Sequence, residues 1–153
     1  MKNKYFIWII IVLGIITPFI GYAVVVEMFF LLIPFGIILT ISSLLFIINI
    51  TKYKKNVFKQ KSTLIFSLLP IFLISQVVST FAFDKIQRFR SNSIIKKIEE
   101  KEIRITSTPT KNFGIEYYKL KNNDFVVQYN RGFFVREKYY DEEKQWKSYG
   151  WND

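Results

Sequence analysis

Few groups in this 153-residue chain could carry out chemistry. It contains no cysteine and no histidine, which excludes disulfides, thiol nucleophiles, zinc fingers and imidazole acid–base catalysis. The remaining candidates are the acidic run Asp141-Glu142-Glu143 and chance neighbours such as Lys147-Ser148. Adjacent acids on a turn point in different directions, and no phosphate loop, nucleophile elbow or metal-ligand spacing accompanies them. We therefore expect a non-enzymatic protein without catalytic residues, metal or cofactor.

The residue types that could recognise a partner are concentrated near the C-terminus. Tyrosine, tryptophan and arginine anchor protein interfaces because they combine a large contact surface with hydrogen-bonding groups. The candidate partner-binding residues are Tyr129, Arg131, Phe134, Arg136, Tyr140, Trp146 and Trp151. Some of the aromatic side chains must instead form a core, since a small sheet has little else to bury. We expect another protein as the partner, and no nucleic acid, because this segment is predicted to face outward.

Three apolar stretches precede this segment, and a soluble protein of this size could not bury them. From Tyr5 to Ile50 the only acid or base, tyrosines apart, is Glu27, and there is none from Thr63 to Phe83. About 20 apolar residues suffice to cross a hydrocarbon core of about 30 Å. The predicted α-helical membrane domain covers residues 1–83, with three transmembrane spans at about 5–26, 28–50 and 63–83.

A tight turn near Gly21–Glu27 is predicted to join the first two spans, with Glu27 at the water interface. The motif Gly21-Tyr22-Ala23 also has the small-x-small pattern of a signal-peptide cleavage site. Whether residues 1–23 are removed stays open at this point. Cleavage would leave two spans and the same final orientation.

Basic residues set the predicted orientation. The net charge is +10, and cytoplasmic loops of membrane proteins carry the excess of lysine and arginine. Lysines lie before the first span and again in the loop 51–62, and an even number of spans separates the two groups, so both can be cytoplasmic. The abundance of Ile, Lys, Asn and Phe is typical of an AT-rich bacterial genome. We predict a protein of the bacterial cytoplasmic (inner) membrane with a cytoplasmic N-terminus and an extracytoplasmic C-terminal domain.

The third span carries a polar stripe that is a candidate for helix packing. Small and hydroxylated side chains let helices approach closely and hydrogen-bond in the membrane. The stripe consists of Ser75, Gln76, Ser79 and Thr80. We interpret it as a contact with the first two spans, and the alternative is a self-association face in a homo-oligomer. No span has a charged residue at its centre, which disfavours an ion-coupled transporter.

Residues 84–153 are predicted to form a small soluble α+β domain. Isoleucines recur at helical spacing over residues 84–102, which predicts an amphipathic helix. Loop-type residues over 106–112 are followed by alternating segments with intervening turns, one of them at Asn130-Arg131-Gly132, which predict an antiparallel meander of three to four strands. The predicted strands cover about 113–120, 125–129, 133–140 and 146–150.

These features favour a membrane protein that presents a small outward-facing domain for protein binding. A toxin-immunity protein and an accessory subunit of an envelope complex both have this character. Two alternatives stay open: a signal sensor or transport accessory, and a pore formed by an oligomer.

Overall fold

The computed structural model describes residues 2–120 and 124–150. The chain divides into two compact units, Met1–Ser79 and Thr80–Asp153. The α-helices are α1 (Lys2–Ile16), α2 (Gly21–Val26), α3 (Leu32–Tyr53) and α4 (Lys61–Glu99), and α4 contributes to both units. Helices are thus followed by a sheet, which is the order that the sequence predicts.

Two helical stretches are long and apolar enough to cross a membrane. They are Gly21–Lys59, with 39 residues, and Thr63–Glu99, with 37 residues. The apolar helix Tyr5–Phe19 is shorter, and at 1.5 Å per residue it covers only about 22 Å of a hydrocarbon core of about 30 Å. The first of the three predicted spans therefore stays a prediction.

The chain breaks between the first two apolar helices earlier than the predicted turn. The break is a 3₁₀ turn at Thr17–Phe19, with Pro18 near its start, followed by Ile20 in an extended conformation. Proline fixes φ and has no N–H, so it favours the start of a new helical segment and interrupts an existing one. Residues 21–26, predicted as the end of the first span and the turn, are instead the start of the second helical stretch.

Glu27 lies within that second stretch, not in a turn. It begins a π-helical segment, Glu27–Leu31, between α2 and α3. Pro34 follows in the first turn of α3. It has no N–H to donate to the carbonyl four residues earlier, and its ring clashes with that carbonyl in a regular α-helix. A wider turn before the proline relieves this conflict.

The helices of the first unit approach closely at two points along α4. A Cβ atom added to Gly14 would lie 2.6 Å from the Phe72 carbonyl oxygen and 2.8 Å from the Ser75 Cβ. Glycine is thus what allows α1 to contact α4 here. The Gln76 Nε2 donates a hydrogen bond of 2.7 Å to the Glu27 Oε1, which joins α4 to the π-helical segment.

The second unit contains a five-stranded antiparallel sheet with the strand order β1-β2-β3-β4-β5. The strands are β1 (Thr110–Asn112), β2 (Ile115–Lys119), β3 (Phe125–Gly132), β4 (Val135–Tyr140) and β5 (Gln145–Tyr149). The predicted meander is confirmed, with one more strand than expected. The additional strand β1 comes from the segment interpreted as a loop. All three of its side chains are exposed, so it has no apolar alternation that sequence could reveal.

The core of the second unit lies between α4 and one side of the sheet. Ile94, Ile95 and Ile98 on α4 are buried, and their i, i+1, i+4 spacing places them on one helical face. They pack against buried aromatic and aliphatic side chains of the sheet, and Ile103, Ile105 and Trp146 border the cluster. Ile103 and Ile105 follow the helix and border this core without forming a strand.

The β3–β4 connection differs from the predicted Asn130-Arg131-Gly132 turn. Strand β3 continues to Gly132 through an irregularity between Asn130 and Gly132. The Asn130 Oδ1 accepts a hydrogen bond from the Gly132 N–H at 3.1 Å, and Gly132 has φ of 107°. The glycine therefore serves a bulge, and the turn itself lies at Phe133–Phe134.

Candidate binding face of the C-terminal unit

Strand register assigns each side chain of the sheet to one of two faces, because residues paired across antiparallel strands point the same way. Tyr129 pairs with Glu137, and Tyr139 pairs with Trp146, on the side that α4 covers. The residues whose side chains point to the other side of the sheet form what we call the outer face. Its members are Lys111, Glu116, Tyr118, Val126, Gln128, Asn130, Arg136, Lys138, Tyr140, Gln145, Lys147 and Tyr149.

Tyrosines and lysines alternate across the outer face. The rings of Tyr140 and Tyr149 meet edge to face with centroids 6.4 Å apart. The Lys138 Nζ lies 4.8 Å from the Tyr149 ring centroid, and the Lys147 Nζ lies 5.6 Å from that of Tyr140. The hydrogen bond with Tyr149 raises the pKa of Tyr140, and burial raises it further, to about 12. Tyr140 is therefore neutral at physiological pH, and the two tyrosines offer both rings and hydroxyl groups on this face.

Gln128 occupies the centre of the outer face and is 7% exposed. Its Nε2 donates a hydrogen bond of 2.8 Å to the Glu116 Oε2. Its Oε1 is buried and has no hydrogen-bond partner among the described residues. A buried acceptor without a donor costs about 1–3 kcal/mol. Gln128 thus lies beneath the more exposed side chains of this face and holds the Glu116 carboxylate in place.

The outer face carries more positive than negative charge. Its cationic side chains are Lys111, Arg136, Lys138 and Lys147, against the carboxylate of Glu116. Lys111 pairs with Glu116 at 2.9 Å. The contact with Lys111 lowers the pKa of Glu116, and the hydrogen bond from Gln128 lowers it further. With that carboxylate ionised and paired, the strand residues of this face retain a positive excess that complements an acidic surface.

The seven predicted partner-binding residues do not lie together. Arg136 and Tyr140 are on the outer face. Arg131 and Phe134 lie at the β3–β4 hairpin. Trp146 and Tyr129 are on the helix side, and Trp151 lies outside the described residues. The structure adds Tyr118, Gln128 and Tyr149, which the sequence-based set omitted.

Tyr129 is a core residue of the second unit, so its place in a partner-binding set needs correction. It is 2% exposed, and its hydroxyl donates a hydrogen bond of 2.6 Å to the Asp84 Oδ1. Burial raises the pKa of this hydroxyl, and the hydrogen bond to Asp84 adds a smaller increase. A side chain in this position stabilises the packing of α4 on the sheet and does not reach a partner.

A buried ion-pair network also lies on the helix side. Glu137 is 1% exposed. Its carboxylate accepts hydrogen bonds from Arg88 at 2.9 Å, from Arg131 at 3.3 Å and from Ser148 at 2.7 Å. The Arg88 guanidinium carbon lies 4.0 Å from the Trp146 ring centroid. Charge, hydrogen bonding and stacking together fix the first turns of α4 in this unit to strands β4 and β5.

The predicted polar stripe of α4 is divided between several contacts. Ser75 lies against Gly14, and Gln76 contacts Glu27. The hydroxyls of Ser75 and Ser79 donate to carbonyls of their own helix, those of Ile71 and Gln76. Thr80 belongs to the second unit. Part of the stripe thus contacts the other helices of the first unit.

The acidic run Asp141-Glu142-Glu143 forms the turn between β4 and β5. Lys144 pairs with Asp141 at 2.5 Å and with Glu99 at 3.0 Å, and Lys147 pairs with Glu143 at 2.6 Å. The hydrogen bonds to Asp141 and then Glu99 raise the pKa of Lys144. Within residues 2–120 and 124–150, no group of three or more acidic side chains has the arrangement of a metal site.

Comparison with known proteins supplies no relative from which a role could be transferred. No protein-family model matches the chain, and neither a curated protein nor a solved structure matches it. A functional assignment therefore depends on the chemistry of the chain itself.

Proposed function

We propose that this chain is a non-enzymatic membrane protein that presents its C-terminal unit outside the cytoplasmic membrane to bind another protein. The observation that carries the proposal is the outer face, where tyrosines and lysines lie together in cation–ring contacts. Aromatic residues with nearby cations are the usual anchors of protein interfaces.

The proposed partner presents an acidic surface. The positive excess of the outer face favours carboxylates in the facing protein. Tyrosine hydroxyls add hydrogen-bonding groups that give such a contact its specificity. A toxin inhibited by an immunity protein and a neighbouring subunit of an envelope complex are two partners of this kind.

Site-specific photo-crosslinking tests the proposal. With benzoylphenylalanine in place of Tyr149, we expect one discrete, protease-sensitive adduct when native membranes are irradiated. The matched control position is Lys97, which is exposed on α4 and lies away from the outer face. An adduct of equal yield at both positions, no adduct at either, or an adduct only to non-protein material would contradict the proposal.

A further inference from the structure

The two hairpin turns that contain phenylalanine lie at the same end of the sheet. In a meander, successive turns alternate between the two ends, so the β1–β2 turn and the β3–β4 turn share one end. We call this the phenylalanine end, defined by Phe113, Phe133 and Phe134. The Gln87 Nε2 donates a hydrogen bond of 3.2 Å to the Phe113 carbonyl oxygen. The start of α4 in this unit is therefore at the phenylalanine end.

The opposite end of the sheet differs in chemistry. It contains the turn with Asp141, Glu142 and Glu143, and Lys144 of that turn pairs with Glu99 near the end of α4. The sheet end near Gln87 thus carries phenylalanines, whereas the end near Glu99 carries carboxylates. Such a difference along the helix axis fits an environment that changes from apolar to aqueous along the same direction.

The phenylalanines occupy backbone conformations that do not favour them. Phe113, Phe133 and Phe134 have φ values of 47°, 49° and 60°. The left-handed region is strained for bulky side chains, and hairpin turns of this type prefer asparagine or glycine. Phe113 is also 83% exposed. Burial within the unit therefore does not offset the strain at this residue.

Exposed apolar and basic side chains also occur around α4 within a few residues of Gln87. Phe81, Ile86 and Phe89 are 59%, 58% and 75% exposed. The Arg90 guanidinium lies 5.1 Å from the Phe113 ring centroid, and the Lys85 Nζ lies 5.4 Å from that of Phe81. Large apolar rings with adjacent cations are the composition found where proteins meet the membrane interface.

The position along α4 identifies the lipid bilayer as the occupant of this surface. The predicted third span ends at Phe83, and Gln87 is four residues further, or about 6 Å along a helix. The headgroup layer on each side of the hydrocarbon core is about 5–8 Å thick. If the span ends as predicted, a turn held at the level of Gln87 lies within that layer.

We propose that the phenylalanine end is inserted in the interfacial layer of the membrane, with Phe113 at the boundary of the acyl chains. Arg90 and Lys85 then contact the phosphate groups of the lipids. The inference rests on the proposed membrane anchoring and adds a second, peripheral contact between the C-terminal unit and the bilayer. This contact would hold the outer face in a fixed orientation relative to the membrane.

Spin labelling tests the proposal directly, because the chain has no native cysteine. The full chain is placed in nanodiscs of phosphatidylethanolamine and phosphatidylglycerol, with one label at Asn112→Cys, Glu142→Cys or Ile74→Cys. We expect the ratio of oxygen to nickel-chelate collisions at residue 112 to exceed that at residue 142 several-fold. The label at residue 74 reports insertion of the α4 span itself.

Each outcome separates the peripheral contact from the anchoring. A high ratio at residue 74 with equal low ratios at 112 and 142 overturns the contact alone. Low ratios at all three positions overturn both the contact and the proposed anchoring. Adding Phe113→Asn, which suits the turn, should lower the ratio at residue 112 while the urea midpoint of the unit is maintained or rises. An unchanged ratio in that variant would overturn the role of Phe113.

Discussion

Replacing Arg88 with methionine is expected to destabilise the C-terminal unit by about 3–5 kcal/mol. The variant leaves the carboxylate of Glu137, which is 1% exposed, without its closest cation. A charge buried without its partner costs several kcal/mol, whereas whole domains are stable by about 5–15 kcal/mol. A urea titration of the full chain in detergent micelles, followed by tryptophan fluorescence, measures the change. Trp146 reports this region because the Arg88 guanidinium stacks on its ring.

Two further variants show whether the buried charge is the cause. Arg131 also contacts Glu137, but its side chain is 42% exposed and the distance is 3.3 Å, so Arg131→Met should cost only about 0–1 kcal/mol. The double variant Arg88→Met/Glu137→Met removes both charges and should recover most of the lost stability. Equal effects of Arg88→Met and Arg131→Met would contradict the assigned role of the network.

Reversing two charges on the outer face is expected to abolish partner binding while the fold is retained. In Lys138→Glu/Lys147→Glu, carboxylates replace the cations beside Tyr149 and Tyr140, and they repel an acidic partner. Like charges across an interface cost several kcal/mol, and each 1.4 kcal/mol is about tenfold in affinity. The yield of the Tyr149-position photo-adduct in native membranes should therefore fall by at least about tenfold.

The matched control is Lys96→Glu/Lys97→Glu. It produces the same change in net charge on exposed positions of α4, away from the outer face. We expect this variant to give the adduct in normal yield. If both double variants reduce the adduct equally, net charge and not the outer face would explain the binding.

Hydropathy and alternation predict the elements of this fold well, but the ends of elements less well. The apolar runs and the meander appear in both the sequence and the structure. The sequence does not indicate the break at Ile20 because residues 5–26 are mostly apolar and only Pro18 interrupts helical hydrogen bonding. Strand β1 is not predicted because its three residues are all exposed and show no apolar alternation.

The composition of the outer face depends on strand register, which single-sequence patterns define poorly. A shift of one residue moves a side chain to the opposite face, and the bulge between Asn130 and Gly132 introduces such a shift. Tyr129 and Tyr140 therefore look equivalent in sequence but lie on different faces. The ion pair of Arg88 and Glu137 joins residues 49 positions apart. The sequence contains one indication that Glu137 is buried. Val135, Glu137 and Tyr139 alternate along β4, so Glu137 shares the face of two apolar residues.

The most direct test of this account is the side of the membrane on which the C-terminal unit lies. Single cysteines at Glu142, in the β4–β5 turn, and at Lys55, in the basic loop, can be introduced into a chain that has none. In spheroplasts treated with a membrane-impermeant maleimide, we expect Glu142→Cys to be labelled at once and Lys55→Cys only after lysis. Labelling of Lys55→Cys but not Glu142→Cys before lysis, or of both at equal rates, would contradict an outward-facing binding unit.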